Sequence, residues 1–261
     1  MHWYVHDVFH RMPPGAPAGG IAVVIDVLRA STTMVTAVAE RAAGVWPVAA
    51  VDEARRLATR LGPAVVLGGE RGGERIPGFD LGNSPLEYTR DRIGGREVVI
   101  TTTNGTAAIA ACAAAAETLV GAIVNRRAVA DAIRRRAMRE GLTDVHLVCA
   151  GTDGAVSAED VLGAGGILEA ALAASPADAA SLAEDHALDQ AAVAALAAFR
   201  QVAAHDDPEA ALVAAFRSSP GGVNLLALGM DADLDACARI DIRAVVPWLD
   251  RATGRAVRLE P

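Results

Sequence analysis

Oxygen-bearing side chains gather at four places in this chain, each directly after an apolar run. The densest is Thr101-Thr102-Thr103-Asn104-Gly105-Thr106, which follows Val98-Val99-Ile100 and opens an alanine-rich helical pattern. A second, Asp26-Val27-Leu28-Arg29-Ala30-Ser31-Thr32-Thr33, follows Ile21-Ala22-Val23-Val24-Ile25. The third is Gly68-Gly69-Glu70-Arg71-Gly72-Gly73-Glu74-Arg75, and the fourth runs from Ala150-Gly151 to Ser157-Ala158-Glu159-Asp160. Unpaired N–H groups in a first helical turn, flanked by small hydroxyl and amide side chains, suit an anion such as phosphate. A carboxylate at the tip of a buried strand is costly without a cation or hydrogen bonds, which makes Asp26 a candidate metal ligand or catalytic group. Oxygen donors without histidine favour Mg²⁺, which takes one or two carboxylates and leaves room for water and substrate phosphate. The chemistry these residues suit is metal-assisted phosphate transfer, with arginines and amides steadying charge on the phosphoryl oxygens.

Several other chemistries are excluded by residue type. The chain has no lysine, so it has no Walker A lysine, no Schiff base and no lysine general base. It has no GxSxG elbow, no second aspartate two residues after Asp26, and no GxGxxG opening a helix after a strand. His186 and His205 lack zinc-ligand spacing. A formal net charge of −8 argues against nucleic acid or an anionic membrane as partner. Cys112, Cys149 and Cys237 form no CxxC and read as reduced thiols. With no leader and no long uninterrupted apolar segment, the chain reads as a soluble, cytoplasmic protein.

The elements that must carry these residues follow from periodicity. The continuous apolar run at 21–25 marks a strand covered on both faces, and core strands are expected also at 64–67, 98–100 and 144–149. Further strands are expected at 2–8, 46–51, 118–124 and 240–247. Helices are expected at 31–43, at 52–61 behind an acidic cap, at 105–117 and at 125–141. Arg126 and Arg127 in a first helical turn oppose the helix dipole and need a partner, either a bound anion or a carboxylate. Asn83 or Ser84 caps a short helix with Pro85 at its first position, and Ser157 and Asp160 have capping spacing. The fold class is α/β: a three-layer α/β/α arrangement with a largely parallel or mixed central sheet and a helix-rich C-terminal part. One domain is expected over 1–261, with a helical, cap-like segment at about 163–216. The glycine-rich 68–75 stretch reads as a loop whose glycines let backbone approach a ligand.

Taken in order, Asp26 to Thr33, Gly69-Glu70-Arg71, Gly78-Phe79-Asp80-Leu81-Gly82-Asn83-Ser84-Pro85, Thr102 to Thr106, and Cys149-Ala150-Gly151 with Ser157 to Asp160 resemble the 2-phosphosulfolactate phosphatase family. Weaker similarity continues to Gly221 and Pro247. The resemblance implies a Mg²⁺-dependent α/β enzyme that hydrolyses 2-phospho-3-sulfolactate to 3-sulfolactate and phosphate, in methanogens a step of coenzyme M synthesis. Such a substrate explains a demand for Arg29 and Arg71, with Arg75, Arg126 or Arg127 in reserve. On this reading Asp26 and Glu70 lead as Mg²⁺ ligands, with Glu159 and Asp160 as a second carboxylate source. Thr102, Thr103, Asn104, Gly105 and Thr106 hold the phosphate. Ser31, Thr32 and Thr33 form a second anion cradle, and Asn83, Ser84 and Gly151 are further substrate contacts. The catalytic set is Asp26, Arg29, Ser31, Glu70 and Arg71. Either a metal-held water attacks phosphorus, or Asp26 or Ser31 first takes the phosphoryl group. Two other readings stay open: phosphatase or phosphotransfer action on another hydroxy-acid or sugar phosphate, and a non-catalytic anion-binding protein. The expected partner is a small anionic phosphate ester, without nucleic acid or membrane, and a homodimer is left open.

Overall fold

The computed structural model of the chain describes residues 1–173 and 187–259, so His186 lies outside the described residues. Its strands are β1 (His2–His6), β2 (Ile21–Ile25), β3 (Gly44–Pro47), β4 (Val66–Arg71), β5 (Glu74–Arg75), β6 (Glu97–Thr101), β7 (Glu117–Gly121), β8 (Asp144–Cys149), β9 (Ala187–Leu188), β10 (Pro247–Leu249) and β11 (Ala256–Arg258). They form one sheet in the order β5-β4-β6-β3-β11-β10-β7-β2-β8-β1-β9. Strands β7, β2, β8, β1 and β9 pair in parallel, as do β3, β6 and β4. The antiparallel β10–β11 hairpin joins the two blocks through pairings that are themselves antiparallel, so the sheet is mixed.

Ten helices accompany these strands among the described residues. They are α1 (Ala30–Ala39), α2 (Val51–Leu61), α3 (Arg90–Ile93), α4 (Gly105–Ala111), α5 (Arg126–Glu140), α6 (Ala158–Ala173), α7 (Gln190–Ala203), α8 (Pro208–Ser218), α9 (Pro220–Ala227) and α10 (Asp231–Ala238). Because side chains alternate along a strand, the two faces of β2 sort into different cores. Ile21, Val23 and Ile25 join Val129 and Ile133 of α5, Ile167 and Leu168 of α6 and Phe199 of α7, while Ala22 and Val24 pack with Ala108 of α4. Likewise Val98 and Ile100 of β6 meet Met34 and Val35 of α1, and Val99 meets Ala54 and Leu57 of α2. Helices therefore cover both faces, and the fold is α/β in three layers. No helix among the described residues is long and apolar enough to cross a membrane.

Several boundaries differ from expectation for physical reasons. The glycine-rich 68–75 stretch is the end of β4 and a hairpin into β5, turned at Gly72 and Gly73, both at positive φ. Helix α4 stops at Ala111, because Glu117 already opens β7. Alanine propensity there yields to pairing with β2. Helix α2 starts at Val51 without a side-chain cap, and Asp52 and Glu53 serve its first turn instead. No strand forms over 240–246, and the chain closes with the β10–β11 hairpin. Its turn is organised by Asp250, whose carboxylate accepts from the Ala252 N–H at 3.0 Å and the Thr253 hydroxyl at 2.8 Å. Arg126 and Arg127 find carboxylates rather than an anion, at Asp241 and Glu169. Of the expected 163–216 cap, α6 and α7 contribute to the core of one sheet face, and the helix bordering the site is α9.

Candidate active site

The polar ends of β2, β4 and β6 meet at one cavity of about 390 Å³. Asp26, Arg29, Glu70, Asn83, Thr103 and Asn104 line it, and α9 supplies the facing wall with Gly221 and Asn224. Two glycines make the meeting possible. A Cβ on Gly105 would stand 2.7 Å from Asp26 Oδ2 and 2.5 Å from the Ala30 Cβ, so the start of α4 touches the tip of β2 only without one. Gly69 has φ 147, and its Cβ would lie 2.1 Å from the Thr101 carbonyl, which lets β4 close on β6 just before Glu70.

Asp26 is buried at the end of β2, where Oδ1 accepts from the Ala30 N–H at 3.1 Å. Burial, with Glu70 and Glu159 nearby, pushes its carboxyl up to about 7 against the opposing pull of the Ala30 N–H and Arg29. Glu70 accepts from the Thr103 N–H at 2.7 Å through Oε1 and from the Gly73 N–H at 2.8 Å through Oε2. It thereby ties the hairpin tip to the turn after β6. Arg29 donates to Asp233 Oδ2 at 2.5 Å, to Met230 Sδ at 2.9 Å and to the Gly73 carbonyl at 2.9 Å. Asn83 is buried on the cavity wall, and its Oδ1 has no partner among the described residues.

Other expected site residues serve the frame. Ser31 is fully buried, donates to the Val24 carbonyl at 3.1 Å and accepts from the Asp26 N–H at 2.9 Å. Its proton is committed to a backbone carbonyl and it has no place on the cavity wall, so in this structure it supports the Asp26 backbone. Thr32 donates to the Val27 carbonyl at 2.9 Å and Thr33 to the Asn83 carbonyl at 2.8 Å, so the hydroxyls expected to form a second anion cradle are turned to backbone and stand off the cavity wall. Thr102 and Thr106 satisfy each other across the start of α4, the Thr106 hydroxyl donating to the Thr102 carbonyl at 2.9 Å and the Thr106 N–H to Thr102 Oγ1 at 3.2 Å. Of the five-residue turn only Thr103 and Asn104 reach the cavity.

Arg71 is spent on the Glu70 and Ala49 carbonyls and the Thr101 hydroxyl. Ser84 donates to Asp233 Oδ1 at 2.5 Å and caps the short helical turn over Pro85–Glu87. Asp160 accepts from the Val27 N–H at 2.7 Å and the Gly151 N–H at 2.9 Å. It stitches the loops after β2 and β8 together and occupies Gly151 in doing so. Burial drives its carboxyl well upward, with Asp26 and Glu159 adding to the effect. Glu159 is buried behind Gly221, where a Cβ would fall 2.4 Å from its Oε1, and its Oε2 has no partner among the described residues. Among the described residues no group of three His, Cys, Asp or Glu side chains stands together, and of the four expected carboxylates Asp26 and Glu70 line the cavity while Glu159 and Asp160 do not.

The sequence matches the family model described as 2-phosphosulpholactate phosphatase over residues 9–252. The chain belongs to this family. It is 41% identical over 230 residues to a Deinococcus radiodurans protein named "Probable 2-phosphosulfolactate phosphatase", covering 88% of this chain and 87% of that one. A Synechococcus protein of the same name is 40% identical over 247 residues, covering 93% and 95%. One from Caldicellulosiruptor saccharolyticus is 37% identical over 220 residues, covering 84% and 85%. Membership makes the chain a phosphatase, a hydrolase of phosphoric monoesters. In this phosphatase the residues that sequence reasoning missed are Asp233, Met230 and Asn224. Asp233 is buried and joins Arg29 to Ser84, so α10 clamps two of the motif loops. The alternating aspartates at 231, 233 and 235 were the available signal, because one helical position among them had to face inward.

Proposed function

We propose that the chain hydrolyses the phosphate monoester of a small 2-hydroxy acid, 2-phospho-3-sulfolactate first among them, to 3-sulfolactate and phosphate with Mg²⁺ bound. The observation that carries the metal requirement is the charge of the cavity. Asp26, Glu70 and Asp153 line it against Arg29, the one cation among the described lining residues, whose charge Asp233 already answers. An ester bearing phosphate, carboxylate and sulfonate would meet net repulsion there unless a cation enters with it. The donors fit one: Asp26 lines the cavity, Asn83 Oδ1 lacks a partner among the described residues, and both are hard oxygens. Bound there, Mg²⁺ supplies Lewis-acid polarisation of the phosphoryl oxygens.

The remaining work falls to the chain. Asp26 is the cation's holder, and its carboxylate gains a counter-charge that burial alone denies it. Glu70 fixes the Thr103 N–H and the hairpin tip rather than meeting substrate head-on. Thr103 and Asn104 border the phosphate position, and Arg29 with Asn224 borders the acid groups. In hydrolysis water adds its oxygen to phosphorus, the P–O bond to the hydroxy acid breaks, and the leaving oxygen takes a proton. The test is phosphate release from a panel of 2-hydroxy-acid phosphates with and without Mg²⁺, on the wild type and on Asp26→Ala. Release from phosphosulfolactate that needs both Mg²⁺ and Asp26 supports the reading. Equal turnover by Asp26→Ala ends it.

A further inference from the structure

Outside the active-site cavity, one sheet face carries imidazoles on β1 and β8. Along β1, Trp3 and Val5 enter the core, so Tyr4 and His6 stand on the other face. Strand β8 pairs with β1 in parallel, His146 opposite Tyr4 and Val148 opposite His6, which sets His146 diagonally beside His6 on that face. Their rings lie nearly parallel, 10° apart with centroids at 5.4 Å, and Tyr4 stacks on His146 at 4.8 Å. His6 Nε2 and His146 Nδ1 are 3.1 Å apart. None of these residues lines the active-site cavity.

We propose that His6 and His146 form a second cation site, specific for a nitrogen-seeking divalent transition metal such as Zn²⁺, Ni²⁺ or Cu²⁺, with water completing its coordination. Two ligands at about 2.0–2.1 Å from a metal and 3.1 Å from each other subtend roughly 95–100°, between the square and tetrahedral angles. Reaching that arrangement requires the rings to tilt from a mutual hydrogen bond toward a shared point, and His6 is only half-buried. The ring that now donates moves its proton to its other nitrogen, so the pair stays neutral and no proton is lost.

The surroundings favour a cation over a second proton. Burial lowers the affinity of both rings for protons, and for His6 the neighbouring His146 adds to this. Both rings are thus neutral, with lone pairs available, near pH 7. Against burial, Asp189 and Asp7 draw positive charge to His6, and Asp144 and Asp189 draw it to His146. A divalent ion collects that attraction while its ligands remain neutral. Mg²⁺ prefers oxygen and keeps its water, so it does not compete here.

The test uses the full chain in excess Mg²⁺, with Zn²⁺ binding followed by calorimetry and Cu²⁺ coordination by electron paramagnetic resonance. The wild type is expected to show copper bound by two imidazole nitrogens. His6→Gln and His146→Gln are each expected to weaken Zn²⁺ binding by about tenfold or more, as loss of one ligand of two should. Phosphate release with Mg²⁺ should be unchanged in His6→Gln. Absence of two-nitrogen coordination in the wild type overturns the proposal without recourse to any variant. So does Zn²⁺ binding that survives His6→Gln, or that falls instead in His2→Ala.

Discussion

Burial holds the Asp26 carboxyl at about 7, far above its ordinary 3.8. A folded pKa above the unfolded one means that the protonated form is favoured in the fold. The associated stability is complete below the unfolded value and is lost as pH rises through about 7. Asp26→Asn keeps an oxygen for the Ala30 N–H and removes the charge. It should therefore raise the melting temperature above that of the wild type at about pH 8, with an upper bound of about 4 kcal/mol at about 1.4 kcal/mol per unit, and the gain should vanish near pH 4. Phosphate release should fall by about 10²–10⁴-fold in the same variant. A destabilised Asp26→Asn at pH 8 would contradict the assignment of its burden to charge. Asp233 shows the opposite economy, since its charge is matched: Asp233→Ala leaves Arg29 buried without a carboxylate and should cost about 3–5 kcal/mol in denaturant unfolding. Asn104 lines the cavity at a position that an ordinary N-cap would also fill, whereas Asp26 and Glu70, acids at the ends of buried strands, were legible in the sequence as residues of one cavity. The hydroxyls of Ser31, Thr32 and Thr33 were not, because a hydroxyl that caps a carbonyl and one that binds an anion leave the same letters.

At the scale of elements, the hairpin β4–β5 decides whether Glu70 reaches the turn after β6. Its sequence, two glycines, Glu-Arg, two glycines, Glu-Arg, has no apolar alternation and so hides a strand that pairs through backbone alone. By contrast the uniform apolar run of β2 and the Val98-Val99-Ile100 centre of β6 announced themselves, because strands covered on both faces need no polar side. The hairpin's glycines are not equivalent. Gly69→Ala drives a methyl group to 2.1 Å from the Thr101 carbonyl, so β4 must move away from β6, and both stability and phosphate release should drop sharply. Gly72→Ala meets nothing within 4 Å at φ 60, and its cost should stay at about 1 kcal/mol with activity near that of the wild type. Melting temperatures and turnover of the two variants side by side check the contrast. Equal losses would mean that backbone freedom at the tip, rather than close approach at its base, positions Glu70.

For the whole molecule, the sheet order was the least legible feature. It depends on the short β10–β11 hairpin inserting between β3 and β7, a pairing between segments more than a hundred residues apart that no local pattern encodes. Within this frame the ties between the active-site loops, among the described residues, run through protein groups. The active-site loops are tied by carboxylates already bonded to backbone, Glu70 to Thr103 and Gly73, Asp160 to Val27 and Gly151, and by the Asp233 link between Arg29 and Ser84. A metal that organised the fold would need several protein ligands, and no such group of three exists among the described residues. Chelation of divalent ions should therefore abolish phosphate release while leaving the circular dichroism spectrum and the cooperative unfolding transition in place. Mg²⁺ added back should restore turnover, and should raise the melting temperature only by the mass-action term for a ligand held by one or two carboxylates. Unfolding on chelation would show instead that the cation closes the frame, and that the bonds among Glu70, Asp160 and Asp233 do not suffice.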